Sequence, residues 1–192
     1  NISPKIGTTE FYPRKIEEVF REPKTKVIDR LNLNDNISTE NDWYILDGFA
    51  GTSEEKGLVD FIEEQIQDLK SKYAEVFLLR NEEVYKIYDF DKGLGFQPDF
   101  ILFLKDKSDK NLYYQVFIEP KGTQFLGFDN TFKTGHDGWK ETFLEKISEK
   151  FGKENILKAE NNKYYLIGLP FYSSGNNTNF ETEYSKLISD IS

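Results

Sequence analysis

Two stretches of the chain place apolar residues at the three- and four-residue spacing of an amphipathic helix. The first helix is predicted to begin at Ser53 as its N-cap, and its apolar stripe consists of Leu58, Ile62, Ile66 and Leu69. The second begins after Gly138, and its stripe consists of Trp139, Phe143, Ile147 and Phe151. A shorter amphipathic helix is predicted at residues 181–188, after a loop at residues 173–179.

Strand patterns fill the region between the two longer helices. Residues 76–79, 84–88, 97–104 and 112–119 are rich in apolar and aromatic side chains and are separated by charged or glycine-containing turns. We predict that they form an antiparallel meander, and that residues 164–169 add one strand after the second helix. The order of helix, several strands, helix and strand indicates an α/β domain.

Domain organisation follows from length and from the placement of prolines. A chain of 192 residues has room for one ordinary domain. Residues 1–42 contain Pro4, Pro13 and Pro23 and a polar stretch, and we interpret them as a tether or docking segment. Residues 43–192 are predicted to form the folded domain.

Composition excludes several kinds of site. The chain has no cysteine, so a disulfide framework, a thiolate zinc site and a cysteine nucleophile are all excluded. His136 is its one histidine, and we interpret it as a surface-loop residue. Neither a signal-peptide pattern nor a membrane-length apolar run is present, so we expect a cytoplasmic protein without membrane contact.

The net charge of −9 argues against a domain that binds DNA by itself, because such domains are usually basic. Acidic character is compatible with a domain that holds divalent cations, or that other parts of a larger protein deliver to DNA. We interpret Lys133 and Lys140 as solvent-exposed charges rather than DNA contacts.

One pair of strands carries the candidate chemistry. If residues 105–111 form the hairpin loop, Asp99 lies opposite or diagonal to Glu119, and Lys121 projects from the same face. Opposed and diagonal positions lie ~5 and ~7 Å apart, so the two carboxylates can bind one Mg²⁺ between them. Lys121 would then orient the attacking water and stabilise charge that grows on a phosphate.

These residues resemble a known signature. Pro98-Asp99 followed by Glu119-Pro120-Lys121 is similar to the PD-(D/E)xK nuclease motif. The resemblance extends to the C-terminal nuclease domain of the restriction subunit of type III restriction enzymes, over about residues 43–169. The stretches that carry it are Gly51-Thr52-Ser53-Glu54-Glu55-Lys56, Arg80-Asn81-Glu82, Gly95-Phe96-Gln97-Pro98-Asp99-Phe100, Ile118-Glu119-Pro120-Lys121-Gly122 and Trp139-Lys140.

The resemblance implies a restriction-endonuclease-like core, a mixed central sheet of αβββαβ order flanked by helices. It implies a Mg²⁺-dependent endonuclease that hydrolyses phosphodiester bonds of double-stranded DNA by metal-activated water. Asp99 and Glu119 would bind the metal, Lys121 would assist catalysis, and Glu55 would help, with Glu54 as the alternative. The implied partners are a methyltransferase subunit and an ATP-driven helicase-like motor. Because the chain has no Gly-x-x-x-x-Gly-Lys-Ser/Thr loop, we expect the motor to lie outside it.

Two other hypotheses stay open at this point. The first is a non-catalytic docking module for the motor or the methyltransferase. The second keeps the chemistry but assigns it to another helicase-nuclease, in phage defence or DNA repair. Under all three hypotheses we interpret Glu82 and Glu83 as charged residues of a turn.

Overall fold

The computed structural model describes residues 42–44, 51–81, 86–89, 94–151, 156–159 and 161–189. Apart from Asp42, the predicted tether at residues 1–42 lies outside these described residues, as do Glu82 and Glu83. Trp43 and Tyr44 are buried in the core. The backbone N–H of Leu78 donates to the carbonyl of Trp43 at 2.7 Å, so the start of the predicted domain packs against its central sheet.

The described residues contain three α-helices, a single 3₁₀ turn and seven strands. The helices are α1 (Ser53–Lys72), α2 (Gly138–Phe151) and α3 (Thr178–Ser189), and the 3₁₀ turn is Thr123–Phe125. The strands are β1 (Tyr73–Arg80), β2 (Ile87–Asp89), β3 (Leu94–Phe96), β4 (Phe100–Asp106), β5 (Leu112–Ile118), β6 (Leu157–Ala159) and β7 (Asn162–Gly168). None of these helices combines the length and apolarity that crossing a membrane requires.

Five strands form the central sheet in the order β1-β4-β5-β7-β6. The strand β4 runs antiparallel to both β1 and β5, whereas β5 and β7 are parallel. The predicted α/β class with a mixed, helix-flanked sheet is therefore confirmed. Along the chain, the elements of the main sheet and its two longer helices come in the order α1, β1, β4, β5, α2, β6 and β7, with β2 and β3 between β1 and β4.

The predicted four-strand meander is wrong, because β2 and β3 pair only with each other in a separate two-stranded sheet. The strand predicted at residues 97–104 begins later than expected, since β4 runs from Phe100 to Asp106 and is separated from the end of β3 at Phe96. Pro98 lies in the gap, and proline has no N–H to donate to a strand ladder. The Pro98 carbonyl instead accepts a hydrogen bond from the Asn81 side chain at 2.8 Å.

Alternate positions of β4 and β5 face opposite sides of the sheet. Even-numbered residues of the two strands pack with α1 and α3, and odd-numbered residues pack with α2. This confirms the predicted sharing of one face by odd-numbered residues. The hairpin loop is shorter than predicted, since Lys105 still pairs with Tyr113.

Several predicted boundaries move by a few residues. The N-cap of α1 is Thr52 rather than Ser53: the Thr52 hydroxyl accepts from the Glu55 backbone N–H, and the Glu55 carboxylate accepts from the Thr52 N–H. This reciprocal capping box satisfies two backbone donors at once, so it outcompetes a cap at Ser53. The last helix begins at Thr178, earlier than the predicted 181, and β7 ends at Gly168 rather than 169.

Helix α2 lies against β7 at unusually close range. A Cβ atom on Gly168 would lie 2.3 Å from the Leu144 carbonyl oxygen, so only glycine permits this approach. The Ser148 hydroxyl reinforces the contact by donating to the Gly168 carbonyl and accepting from its N–H, each at 2.8 Å. The position of α2 over the sheet, and hence of its first turn, is set by this contact.

Replacing Thr52 by Ala is expected to lower the free energy of unfolding by about 0.5–2 kcal/mol, because the α1 capping box is lost. The matched control is Ser53→Ala, which removes an exposed hydroxyl one residue later and should change stability by less than about 0.5 kcal/mol. Urea denaturation of the two variants measures the difference. A larger loss in the Ser53 variant would contradict the Thr52 cap.

Candidate active site

The ends of β4 and β5 bring two carboxylates together. Phe100 pairs with Ile118, so the next positions outward, Asp99 and Glu119, lie opposite each other. The Asp99 backbone N–H donates to Glu119 Oε2 at 3.1 Å. Of the two arrangements that the sequence left open, opposed or diagonal, the structure has the opposed one.

The backbone of Asp99 is held from the neighbouring strand. The Asn81 N–H donates to the Asp99 carbonyl at 2.7 Å, and the Asn81 side chain, which is buried, donates to the carbonyl of Pro98. The Gln97 side chain donates to the Asn81 carbonyl at 3.1 Å. Asn81 is therefore the residue that orients the turn before β4.

Lys121 is positioned by pairing beyond the end of β5. The Lys121 N–H donates to the Tyr172 carbonyl at 2.8 Å, and the Tyr172 N–H donates to the Glu119 carbonyl at 3.1 Å. These bonds keep the chain extended through Pro120, so that the side chains of Glu119 and Lys121 point the same way. Lys121 Nζ lies 3.3 Å from Glu119 Oε1.

Glu55, rather than Glu54, faces this site. Glu55 Oε1 forms an ion pair with Arg80 Nη2 at 2.8 Å, and both side chains are largely buried. The Glu55 charge is also close enough to Asp99 to affect its pKa. Glu54 points elsewhere and accepts hydrogen bonds from the backbone and hydroxyl of Ser174.

Two further residues that the sequence analysis did not place in the site, Asp137 and Lys140, complete the cluster. Asp137 Oδ2 lies 2.9 Å from Lys121 Nζ and 3.2 Å from Lys140 Nζ. Lys140 Nζ also lies 3.5 Å from Glu119 Oε1. The interpretation of Lys140 as a solvent-exposed charge is therefore wrong.

A signal for Lys140 was present in the sequence. The buried stripe of α2 includes Phe143, Leu144 and Ile147, which are three, four and seven residues after Lys140. Residue 140 therefore lies on the same inward face of the helix. Lys133, in contrast, pairs with Glu145 at an exposed position, as predicted for a surface charge.

Burial dominates the electrostatics of the two opposed carboxylates. Desolvation is the largest cause that raises the pKa of Glu119, and the charge of Asp99 is the second. Together they bring this pKa to about 7, although the charges of Lys121 and Lys140 lower it. Desolvation and the charge of Glu55 raise the pKa of Asp99, against the opposing charges of Lys121, Lys140 and Arg80. The site therefore retains a proton near neutral pH that ordinary carboxylates would have lost.

Asp137 and Lys121 stabilise each other's charged forms. Burial works against the charge of Asp137, but hydrogen bonds from Lys121 and Lys140 lower its pKa to about 2. Burial likewise opposes the charge of Lys121, yet the nearby Glu119 and Asp137 raise its pKa. The charged form of Lys121 is therefore stabilised beside the opposed carboxylates.

The cluster as a whole is short of positive charge. Its four carboxylates are Glu55, Asp99, Glu119 and Asp137, and its three cationic groups are Arg80, Lys121 and Lys140. A proton on Glu119 balances the charges, and a divalent cation that displaces this proton would change the net charge of the cluster from −1 to +1. This arrangement suits a group that alternates between protonation and cation binding.

The donor set fits Mg²⁺. Asp99 and Glu119 supply carboxylate oxygens, which are the ligands that Mg²⁺ prefers, and Mg²⁺ commonly uses one or two carboxylates with water and substrate phosphates. Within the described ranges, no group of three or more histidine, cysteine, aspartate or glutamate side chains has metal-ligating geometry. A site here would therefore depend on two carboxylates, completed by water or by a ligand.

The two remaining sequence predictions concern His136 and the stretch Arg80-Asn81-Glu82. The His136 side chain is 93% exposed beside Asp137, which confirms a surface-loop histidine. Arg80-Asn81-Glu82 is only partly described: Arg80 pairs with Glu55 and Asn81 braces Asp99, while Glu82 lies outside the described residues.

Comparison with known proteins gives a family match over almost the whole chain. Residues 4–191 match the family HI_1054_C, which is described as a C-terminal domain. A Haemophilus influenzae protein carrying the name "Uncharacterized protein" is 48% identical over 177 residues, which is 88% of this chain. The chain spans 36% of the length of that relative. No solved structure gave a significant match.

In metal-free protein, Glu119→Gln is expected to raise the free energy of unfolding at pH 8 by about 1–3 kcal/mol, because one pKa unit corresponds to about 1.4 kcal/mol. The folded-state pKa of about 7 exceeds the ordinary value of 4.5, so the proton's stabilising contribution is lost as the pH rises through 7. The difference from wild type should be smaller at pH 5.

Urea denaturation at both pH values in the presence of a chelator measures this effect. Glu75→Gln, which removes an exposed carboxylate paired with Lys105, controls for the loss of one negative charge. A Glu119 variant that is destabilised at pH 8 would contradict a Glu119 whose pKa is raised by burial.

Proposed function

The chain belongs to the HI_1054_C family, and we propose that it is a Mg²⁺-dependent DNA endonuclease domain with a PD-(D/E)xK core. One observation carries the proposal: Asp99 and Glu119 oppose each other at adjoining strand ends, with Lys121 beside them on the same side. This is the arrangement that the motif implies. The family description and the relative's name indicate no activity, so the proposal depends on the site.

The proposed chemistry is phosphodiester hydrolysis. Asp99 and Glu119 would hold the cation, which supplies a Lewis acid at a phosphoryl oxygen and lowers the pKa of water. Lys121 and Lys140 converge on Glu119 Oε1 from two elements, and their charges would stabilise the negative charge that grows on the phosphate.

The other three charged residues of the cluster, Asp137, Glu55 and Arg80, would position the proposed catalytic groups. Asp137 forms ion pairs with both lysine ammonium groups and holds them beside the opposed carboxylates. Glu55 is fixed by the α1 capping box and by Arg80. In this proposal Glu55 acts on Asp99 through its charge, whereas Glu54 has no part.

We also propose the finer assignment that the resemblance implies, namely the restriction subunit of a type III restriction enzyme. An ATP-driven motor in the same parent protein and a methyltransferase subunit would be its partners. The relative from Haemophilus influenzae is much longer than the matched region, which leaves room for a second functional part. The net charge of −9 also suits a nuclease that other parts bring to DNA.

Calorimetric titration with Mg²⁺ or Mn²⁺ at low ionic strength is expected to show binding that Asp99→Ala and Glu119→Ala each abolish. Wild-type affinity should rise between pH 6 and pH 8, because the proton on Glu119 must leave before the cation binds. Glu75→Ala is the control and should bind as the wild type does. Equal binding by all four proteins would contradict the paired-carboxylate site and favour the docking-module hypothesis.

Replacing Lys121 by Ala is expected to lower the rate of DNA cleavage about 10²–10³-fold, as removal of one charge-stabilising donor typically does. Metal binding should persist, since neither proposed ligand is changed. The control is Lys105→Ala, which removes a lysine paired with Glu75 at the far end of β4. This variant should cleave DNA at the wild-type rate. Unchanged cleavage by the Lys121 variant would contradict the assignment of Lys121 as a catalytic residue.

A further inference from the structure

One large apolar side chain is almost completely exposed beside the candidate site. Phe128 is 94% exposed, whereas the other exposed large hydrophobic residues in the described part of the chain reach at most 43%. A phenylalanine ring in water forgoes the favourable burial of its apolar surface. Its exposure leaves the ring accessible for contact with another molecule.

The loop that presents Phe128, residues 122–137, is firmly built. Gly127 and Asn130 close a turn around it, since the Asn130 N–H donates to the Gly127 carbonyl at 3.1 Å. The Gly127 N–H donates to the Thr131 carbonyl at 2.8 Å, and Asn130 has a positive φ of 63°, which asparagine tolerates. Phe128 thus stands at the tip of an ordered turn.

Close packing inside the loop supports this tip. A Cβ on Gly135 would lie 2.1 Å from the Phe125 carbonyl oxygen, so the two arms of the loop touch through their backbones. The buried ring of Phe132 anchors the loop on Phe171, with ring centroids 5.5 Å apart. The Asp129 carboxylate turns inward and accepts from the Thr131 backbone and from the hydroxyls of Thr131 and Thr134.

Both ends of the loop lie in the candidate site. The loop follows Lys121 directly and ends at Asp137, and these two side chains form an ion pair at 2.9 Å. The Phe125 ring centroid lies 5.1 Å from Lys121 Nζ. Phe128 is three residues further, so its Cα is at most about 11 Å from that of Phe125.

We propose that Phe128 is a stacking platform for a nucleobase close to the cleaved phosphate, because it lies on the loop whose two ends carry Lys121 and Asp137. The inference rests on the proposed nuclease function and names a feature of its substrate. Lys121 and Lys140 at the base of the loop would meet the phosphate, and an aromatic face at the tip would meet a base. Stacking requires an unpaired or splayed base, so DNA with single-stranded character should bind best.

The test measures binding of a single-stranded oligonucleotide to the 192-residue chain, with Ca²⁺ replacing Mg²⁺ to prevent cleavage. Phe128→Ala is expected to weaken binding about 5- to 150-fold, which is the range for loss of one base–aromatic stack. Phe128→Leu keeps an apolar side chain without a ring and should be equally impaired. Phe128→Trp should retain affinity, and its added indole emission should be quenched when the oligonucleotide binds.

A second oligonucleotide with abasic sugars near the cleaved phosphate keeps every phosphate but has no base to stack. Wild type and Phe128→Ala should bind it equally. Full affinity in Phe128→Leu, or equal affinity of all variants for the first oligonucleotide, would overturn the proposal and indicate a protein partner for Phe128. A wild-type protein that binds neither oligonucleotide would overturn the proposal as well.

Parallel cleavage assays with Mg²⁺ distinguish this inference from the nuclease proposal. Cleavage that depends on Lys121 but not on Phe128, with unchanged affinity, would refute only the stacking platform. Binding that depends on Phe128 without any cleavage would refute the nuclease and leave a nucleobase-binding surface.

Discussion

The antiparallel register of β4 against β5 is the constraint on which the site depends. Phe100 pairs with Ile118, and this pairing sets Asp99 opposite Glu119 at the open end of the hairpin. A slip of one residue would exchange the faces of a whole strand and bury one carboxylate beneath α1 and α3. The register is fixed because the even-numbered residues of both strands are buried against α1 and α3, and the odd-numbered residues are buried against α2.

Burial at that strand end makes the charges interact strongly. Glu119 is nearly inaccessible to water, so its ionisation is costly, yet two lysines and the backbone N–H of Asp99 surround it. Asp137 reduces repulsion between the lysines and holds them near their target. A surface arrangement of the same residues would be screened by water and would have little effect on pKa. The chemistry that we propose therefore requires the packing of α2 against the sheet.

Contacts distant in sequence bring each part of the site into place. Asn81 at the end of β1 orients the turn before β4, and Tyr172 after β7 holds the backbone of Lys121. The close approach of α2 to Gly168 sets the position of the helix whose first turn carries Lys140. Loop 122–137 joins Lys121 to Asp137, so one segment carries part of the charge cluster and an exposed aromatic tip.

Patterns along the chain were enough to predict the α/β class, the two longer helices and the grouping of Asp99 with Glu119 and Lys121. These features follow from local periodicity and from one short hairpin, in which neighbours in sequence become neighbours in space. The nuclease function, its metal and its partners remain proposals drawn from that motif. Three features became visible only in the folded chain. They are the separation of β2 and β3 from the main sheet, the Glu55–Arg80 ion pair, and the presence of Asp137 and Lys140 in the site. Those depend on how helices and strands distant in the chain dock against each other, and side-chain spacing along one segment carries no information about the element that will face it.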